Sequence, residues 1–410
     1  MAMGRDGVPG VDRRTFLVGT ALASVGLASI EPACGATSEP ATVRGVRTLG
    51  RTGLRVPDIA FGSFRLKEGD EDLVRYAFDA GVTHFDTAES YGDGASERTI
   101  GRALVGRRER CTITSKTVAG ADGKRADFLH DLEASLRRLG TDRIDVYLNH
   151  AVNDVARLAN PEWQAFVAAA KQQGKIRFAG MSGHAGKLID CLDYALDHDL
   201  ADTILVAYNF GQDPKFYERF LRDTDMVAVQ PDLPRVLKKA KAKNVGVQTM
   251  KTLMGARLND MRPYESGGAT FAQAAFRWVL SSSDVDGVVV TMPDRAHVDE
   301  YLGASGARAV DRADADLLVR YAALQAGGYC RHGCGICESS CPASVPIGEV
   351  LRARMYARDY GAVDIARSEY AALGTPASAC LTCSAQPCAG TCPHGLAPNV
   401  LTRATHTLLV

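Results

Sequence analysis

"RIDVYLNHAVNDVARLANPEWQAFVAAAKQQGKIRFAGMSG", residues 143–183, reads as strand, helix and strand in one run. Arg143–His150 and Ile176–Gly183 are β-rich. Between them "PEWQAFVAAAKQQG" starts on Pro161, which suits a first helical turn, and stops on Gly174. Working outward, the same alternation fills the chain from Thr48 to about Gly306. Further strands are expected at Ile59–Phe64, Thr83–Ala88, Cys111–Lys116, Asp202–Asn209, Val245–Leu253 and Val285–Met292. Helical stretches such as "ADFLHDLEASLRRLG" separate them, with Phe128, Leu129, Leu132, Leu136 and Leu139 at spacings of three and four. Eight strand–helix units over about 250 residues predict an α/β fold, a (β/α)8 TIM barrel. An open doubly wound sheet would usually carry a glycine-rich phosphate loop after its first strand. "IAFGSFRLKEG" is not such a loop.

Chemistry in such a barrel belongs at the C-terminal ends of the strands. There the chain reads "HFDTAESYG" after the second strand, "TITSK" at the third and "VYLNH" at the fourth, offering Asp86, Tyr91, Lys116 and His150. Over roughly Thr48–Gly306 these motifs, in this order, resemble the aldo/keto reductases. Carbonyl reduction needs a hydride at carbon and a proton at the developing oxyanion. A phenol can supply that proton, but its pKa near ~10 is high for work at neutral pH. An ammonium beside it favours the phenolate. Tyr91 is therefore expected to be the acid, Lys116 the cation that lowers its pKa, Asp86 the partner that holds Lys116, and His150 the group that orients the substrate oxygen. The resemblance implies the same roles.

The resemblance also points to a nicotinamide, NADP or NAD, with departures from the family pattern. In "GMSGH", Ser182 matches the serine on the nicotinamide amide, but Gly183 replaces the usual Asn. Leu205 stands for a glutamine, and Lys251 for the aromatic that stacks on the nicotinamide. Where NADP-binding members place Lys-Ser and Arg, this chain has Thr291, Met292 and His297, with Arg295 nearby and Glu300-Tyr301 for Glu-Asn. The cofactor-binding candidates are thus Ser182, Lys251, Arg295, His297 and Glu300. A 2′-phosphate with neither Lys nor Arg would lose most of its charge-assisted hydrogen bonds.

After Asp316 the pattern changes. "CRHGCGICESSCP" places Cys330, Cys334, Cys337 and Cys341 as C-x3-C-x2-C-x3-C-P. "CLTCSAQPCAGTCP" places Cys380, Cys383, Cys388 and Cys392 as C-x2-C-x4-C-x3-C-P. Each is a once-stretched form of the bacterial two-cluster ferredoxin run, in which the last cysteine of a run ligates the other cluster. "IGEVLRARMYARDYGAVDIARSEYAALG" between them reads as helices. The module resembles a helical dicluster ferredoxin domain, which implies two [4Fe–4S] clusters. Two four-thiolate zinc sites also fit the count, as do disulfides or one cluster with four spare thiols.

At the other end, Arg13-Arg14-Thr15-Phe16-Leu17 heads a run from Phe16 to Ile30 that is soft in Ala, Gly and Ser. As a helix it would span roughly 22 Å, short of the ~30 Å of a bilayer core. The pattern reads as a signal peptide over residues 1–36, resembling the twin-arginine type that exports folded proteins. Cys34 offers a lipid-attachment position. Clusters are assembled in the cytoplasm, so export of a folded chain to the periplasm or cell envelope explains both ends together. The expected organisation is a leader (1–36), a barrel (46–315) and a cysteine module (316–410). Lys+Arg and Asp+Glu both total 48 in 410 residues, so the charge balance suggests no nucleic-acid partner. The expected function is an exported oxidoreductase acting on a small carbonyl or alcohol, with an envelope electron-transfer partner. The alternative is a non-catalytic iron–sulfur electron carrier whose barrel is a ligand- or partner-binding scaffold.

Overall fold

The computed structural model describes residues 41–212, 230, 232–253, 261–265, 270–306, 309–324, 330, 334–358, 362–374, 377–393 and 395–410. The leader and Cys34 lie outside the described residues. Pro40–Val410 forms one compact unit. Strands β1 (Val46–Thr48) and β2 (Arg55–Pro57) pair antiparallel. Eight strands follow: β3 (Ile59–Gly62), β4 (His84–Asp86), β5 (Thr112–Thr117), β6 (Ile144–Asn149), β7 (Ile176–Gly183), β8 (Thr203–Ala207), β9 (Gly246–Met250) and β10 (Gly287–Thr291). They close into a parallel barrel in chain order, with β10 pairing back onto β3. Seven of the eight fall inside the stretches expected from the sequence, and β5 runs one residue past its expected end at Lys116. Most are shorter, because the last residues of each stretch leave the ladder to build the catalytic face. After β4, for instance, Thr87 N still donates to Thr114 O and Glu89 N to Lys116 O, but irregularly.

Around the barrel run α1 (Glu71–Asp79), α2 (Ala95–Ala103), α3 (Arg125–Leu139), α4 (Val155–Ala159), α5 (Pro161–Gln172), α6 (Leu188–Asp197), α7 (Leu233–Ala242), α8 (Phe271–Leu280) and α9 (Arg295–Leu302). Helix α5 starts as its sequence demands: Pro161 opens the first turn and the Asn160 side chain accepts from Glu162 N at 2.9 Å. Helix α3 stops at Gly140, whose φ of 63° suits a glycine better than any other residue. Helix α10 (Arg312–Leu324) packs on α8, tied by Arg277 Nη1 to Asp314 Oδ1 at 2.7 Å, and Tyr321 stacks on Phe271.

The barrel interior is layered. Leu49, Leu54 and Val56, from the β1–β2 hairpin, pack with Ala60, Val146, Leu148, Leu205 and Val289 and close one end. Above them His84 bonds Thr114 Oγ1 at 2.9 Å and Gln248 Nε2 at 3.2 Å. The alternation of strand side chains then puts Asp86 two residues past His84, and Lys116 two past Thr114, at the open end.

Beyond α10 the cysteine module contributes α11 (Ile336–Ser339), α12 (Ile347–Arg358), α13 (Val363–Ala371), α14 (Ala379–Thr382) and α15 (Pro398–Leu409). Its core of Val345, Ile347, Val350, Leu351, Met355, Tyr356, Ala366 and Tyr370 also takes in Ala207 from the end of β8. The module thus packs on the catalytic face of the barrel.

Gly180 in β7 has no room for a side chain, because a Cβ there would run into the Thr203 carbonyl of β8. Gly180→Ala should force these strands apart and lower stability by about 1–3 kcal/mol, the usual cost of overpacking. A urea midpoint equal to that of the parent would show that the barrel wall yields instead.

Candidate functional site

The open end of the barrel gathers all four residues expected there. Lys116 is buried, donating from Nζ to Asp86 Oδ1 at 2.7 Å and to the Thr87 carbonyl at 2.6 Å. The same ammonium lies 5.1 Å from the centre of the Tyr91 ring. Tyr91 stands edge-on to Phe64 at 5.2 Å and to His150 at 5.7 Å, measured between ring centres. Burial opposes both charges of the ion pair, raising the Asp86 pKa and lowering that of Lys116, while their mutual bond works the other way. Asp86 Oδ2 is buried and has no hydrogen bond among the described residues.

Tyr91 departs from expectation in its titration. Burial, then Asp86 and the phenol of Tyr356, hold it well above the ordinary value. The pull of Lys116 does not outweigh them, so Tyr91 is a protonated phenol, the form an acid needs. Burial and the charges of Lys116 and Arg157 push His150 down to about 3, so its ring is neutral at physiological pH. Arg157 sits behind it, bonding Asn149 Oδ1 at 2.6 Å and the His150 carbonyl at 2.8 Å.

The cofactor candidates are spread more widely. Ser182 is buried beside His150, its Oγ accepting from Ala151 N at 3.0 Å. Lys251 follows β9 directly and donates to Tyr356 OH at 3.0 Å. Arg295 lies over the Tyr76 ring at 5.0 Å, His297 bonds Asp294 at 2.8 Å, and the Glu300 carbonyl accepts from Gln273. These three belong to α9 and do not converge on the Asp86–Lys116–Tyr91 group through any described contact.

All ten described cysteines, the eight of the module and Cys111 and Cys191 of the barrel, are free thiols. Among the described residues no three His, Cys, Asp or Glu side chains are gathered tightly enough to hold a single metal ion. Instead the eight module cysteines divide four and four around two pockets. Cys330, Cys334 and Cys337 share one, of about 300 Å³, with Cys392. Cys380, Cys383 and Cys388 share the other, a tighter one of about 30 Å³, with Cys341. The last cysteine of each run thus crosses to the other run's pocket. Burial pushes Cys337 up to about 11, with Cys392 and Cys334 adding to the rise. Burial likewise raises Cys388, with Cys380, Cys341 and Cys383 as its thiol neighbours. Arg403 holds the second run in place, bonding the Cys380 and Cys383 carbonyls at 2.6 and 2.8 Å. The first pocket is also walled by Asn153, Gly186 and Lys187 of the barrel.

With this geometry in hand, the sequence profile of the aldo/keto reductase family matches residues 58–318. The chain belongs to the aldo/keto reductase family. It is 31% identical over 158 residues to L-glyceraldehyde 3-phosphate reductase of Escherichia coli, covering 34% of this chain and 45% of that one. It therefore spans less than half the length of that relative. It is 26% identical over 301 residues to L-galactose dehydrogenase of Arabidopsis thaliana, covering 63% of this chain and 87% of that one. An aldo/keto reductase from Klebsiella pneumoniae, solved in complex with NADP and acetate, superposes with a TM-score of 0.52 at 25% identity, over 68% of this chain and 96% of that chain. The family match ends before the first module cysteine, so it leaves the module's chemistry to its own residues.

Sequence reasoning missed the module's contribution to the barrel mouth. Tyr356 and Arg352 of α12 are buried there, with Tyr356 OH 3.2 Å from His184 Nε2. No local signal marks them, since "LRARMYAR" reads as an ordinary helix.

The histidine has a measurable consequence. Its native pKa of about 3 lies below the ordinary 6.5, so between these values the unfolded chain binds the extra proton. Stability is therefore fully present above pH ~6.5 and falls as pH drops toward ~3, by ~1.4 kcal/mol per pH unit for one such group. His150→Gln should make the loss of stability between pH 6.5 and 5 shallower by about that slope. An unchanged slope in urea titrations would mean that the imidazole is charged in the fold.

Proposed function

We propose that this aldo/keto reductase family protein is an exported oxidoreductase that interconverts a small carbonyl compound and its alcohol. In this reading Tyr91 is the proton donor and two [4Fe–4S] clusters sit in the cysteine module. The observation that carries it is the buried Lys116–Asp86 pair beside the Tyr91 ring. Family membership and the relatives named as a reductase and a dehydrogenase support the reaction class.

The chain's own residues suffice for the proton chemistry. Tyr91, held neutral, gives its proton to the substrate oxygen as negative charge develops there. The phenolate left behind is stabilised by the Lys116 ammonium, which is preorganised by Asp86 and the Thr87 carbonyl and needs no rearrangement during the step. His150, neutral and fixed against Tyr91, directs a hydrogen bond at the same oxygen. A nicotinamide, NADP or NAD, when bound, supplies the hydride. Ser182 fits its amide end, because among the described residues Oγ accepts from Ala151 N alone, which leaves its own hydrogen for a ligand.

The donor chemistry of the two pockets fits a pair of iron–sulfur clusters. Cys330, Cys334, Cys337 and Cys392 would hold one, and Cys380, Cys383, Cys388 and Cys341 the other. When bound, clusters supply one-electron transfer, which an envelope redox partner would feed or drain. The twin-arginine motif supports export of the chain folded, with its clusters in place.

Tyr91→Phe should abolish carbonyl reduction and leave the iron content unchanged. Retained reduction would remove Tyr91 from the mechanism. If the parent reduces no carbonyl while its clusters cycle, the electron-carrier reading stands instead. Two clusters require about eight iron and eight sulfide per chain. Cys341→Ser should lose the cluster of the Cys380 pocket and spare the one bound mainly by its own run. Zinc in place of iron, or iron loss from both pockets alike, would overturn the crossed assignment.

A further inference from the structure

The two cysteine pockets differ in charge. From residue 370 to residue 410 the chain has no Asp, Glu or Lys, and Arg403 is its only arginine. That arginine walls the second pocket, together with Cys341, Cys380, Cys383 and Cys388. Its hydrogen bonds go to the Cys380 and Cys383 carbonyls, at 2.6 and 2.8 Å, so no described carboxylate neutralises it. Among the described residues, Arg403 is also the only charged group lining this pocket. The first pocket is walled by Lys187, Glu338 and Glu349. Lys187 is exposed, where water and salt screen it, and Glu349 is paired with Arg352 at 2.7 Å. Glu338 has no such cation, since its Oε1 accepts from the backbone N of Gly348 at 2.6 Å. The same oxygen lies close to Cys330. A Cβ on Gly348 would stand 3.2 Å from Glu338 Oε1 and 3.9 Å from Cys330 Sγ.

We propose that Arg403 sets the cluster of the second pocket at the higher reduction potential of the two, so that a single electron in the module rests there. The inference rests on the two-cluster reading given above. Reduction adds one negative charge to a cluster. A guanidinium beside the pocket favours that charge, and a carboxylate beside the pocket opposes it. The tighter second pocket excludes more water, which strengthens the pull of Arg403. Helix α15 acts in the same sense, because Asn399, its second residue, lines this pocket and a helix N-terminus carries partial positive charge. Asn153, Gly186 and Lys187 of the barrel wall the first pocket, whereas every described wall of the second comes from the module. Transfer between the pockets moves one electron, oxidising the first cluster and reducing the second. The charge pattern therefore carries an electron away from the barrel, toward the pocket that no described barrel residue walls.

The test is an anaerobic redox titration of the full-length, iron-loaded protein, followed by electron paramagnetic resonance. Two one-electron waves are expected, at least about tenfold apart in the equilibrium constant for reduction, or ~59 mV. Arg403→Gln should lower the upper wave by about that amount and leave the lower one in place. Arg403→Lys, which keeps the charge but not the paired hydrogen bonds, should restore most of the shift. Equal losses in the two variants would trace the effect to the carbonyl bonds and overturn the proposal. A single wave in the parent, or an Arg403→Gln shift confined to the lower wave, would also overturn it. If Arg403→Gln loses iron, Glu338→Gln decides the order instead. It should raise the lower wave alone, and a shift of the upper wave, or none, counts against the proposal. A parent that binds no iron overturns the cluster reading and this inference with it, whereas an iron-replete parent with one wave overturns the inference alone.

Discussion

A buried ammonium and a buried carboxylate 2.7 Å apart organise the catalytic end of this barrel. Removing two charges from water costs several kcal/mol for each ion, and only close pairing with further hydrogen bonds offsets it. Lys116 meets that condition through Asp86 Oδ1 and the Thr87 carbonyl, whereas Asp86 Oδ2 has no partner among the described residues. The pair is therefore poorly explained as a stabilising device. It makes sense as a fixed charge kept beside Tyr91, whose own burial would otherwise make a phenolate inaccessible. The parallel register of β4 with β5 sets this arrangement, since Asp86 aligns with Thr114 and Lys116 lies two residues further along the same inward face.

The cysteine module repeats the theme of groups assembled from distant parts of the chain. Its crossed pockets tie Cys341 to the second run and Cys392 to the first, so neither pocket is complete until both runs and the intervening α12 and α13 have folded together. Helix α12 then serves two sites at once. Glu349, near its start, walls the first cysteine pocket and accepts from Gly186 N of the barrel, while Tyr356, two turns on, reaches Lys251 and His184. One rigid helix thus joins a cysteine-lined pocket to the barrel mouth.

Much of this was legible without coordinates. The eight strands announced themselves by β-rich runs at regular spacing, and helices such as α5 by Pro161 and the apolar stripe. Residues with a role at a strand end, Asp86, Lys116 and His150, could be located because that end is a fixed place in such a barrel. The cysteine runs carried their own spacing. Two things were hidden. The sign of the Tyr91 shift depended on how far its neighbours shield the phenol from water, a property of everything packed around it. The Lys251–Tyr356 contact joins residues 105 positions apart in the chain and follows no periodicity.

The amino-acid sequence alone determined the barrel, the four polar residues gathered at its open end and the division of the cysteines into two runs. These follow from local periodicity and from short spacings that adjacent residues must share. Only the tertiary structure decided how the module seats on the barrel, which cysteines share a pocket and what surrounds Lys251. Those outcomes depend on long-range packing of α12 against the ends of β8 and β9, where the energy lies in contacts between segments and not in the preferences of either one.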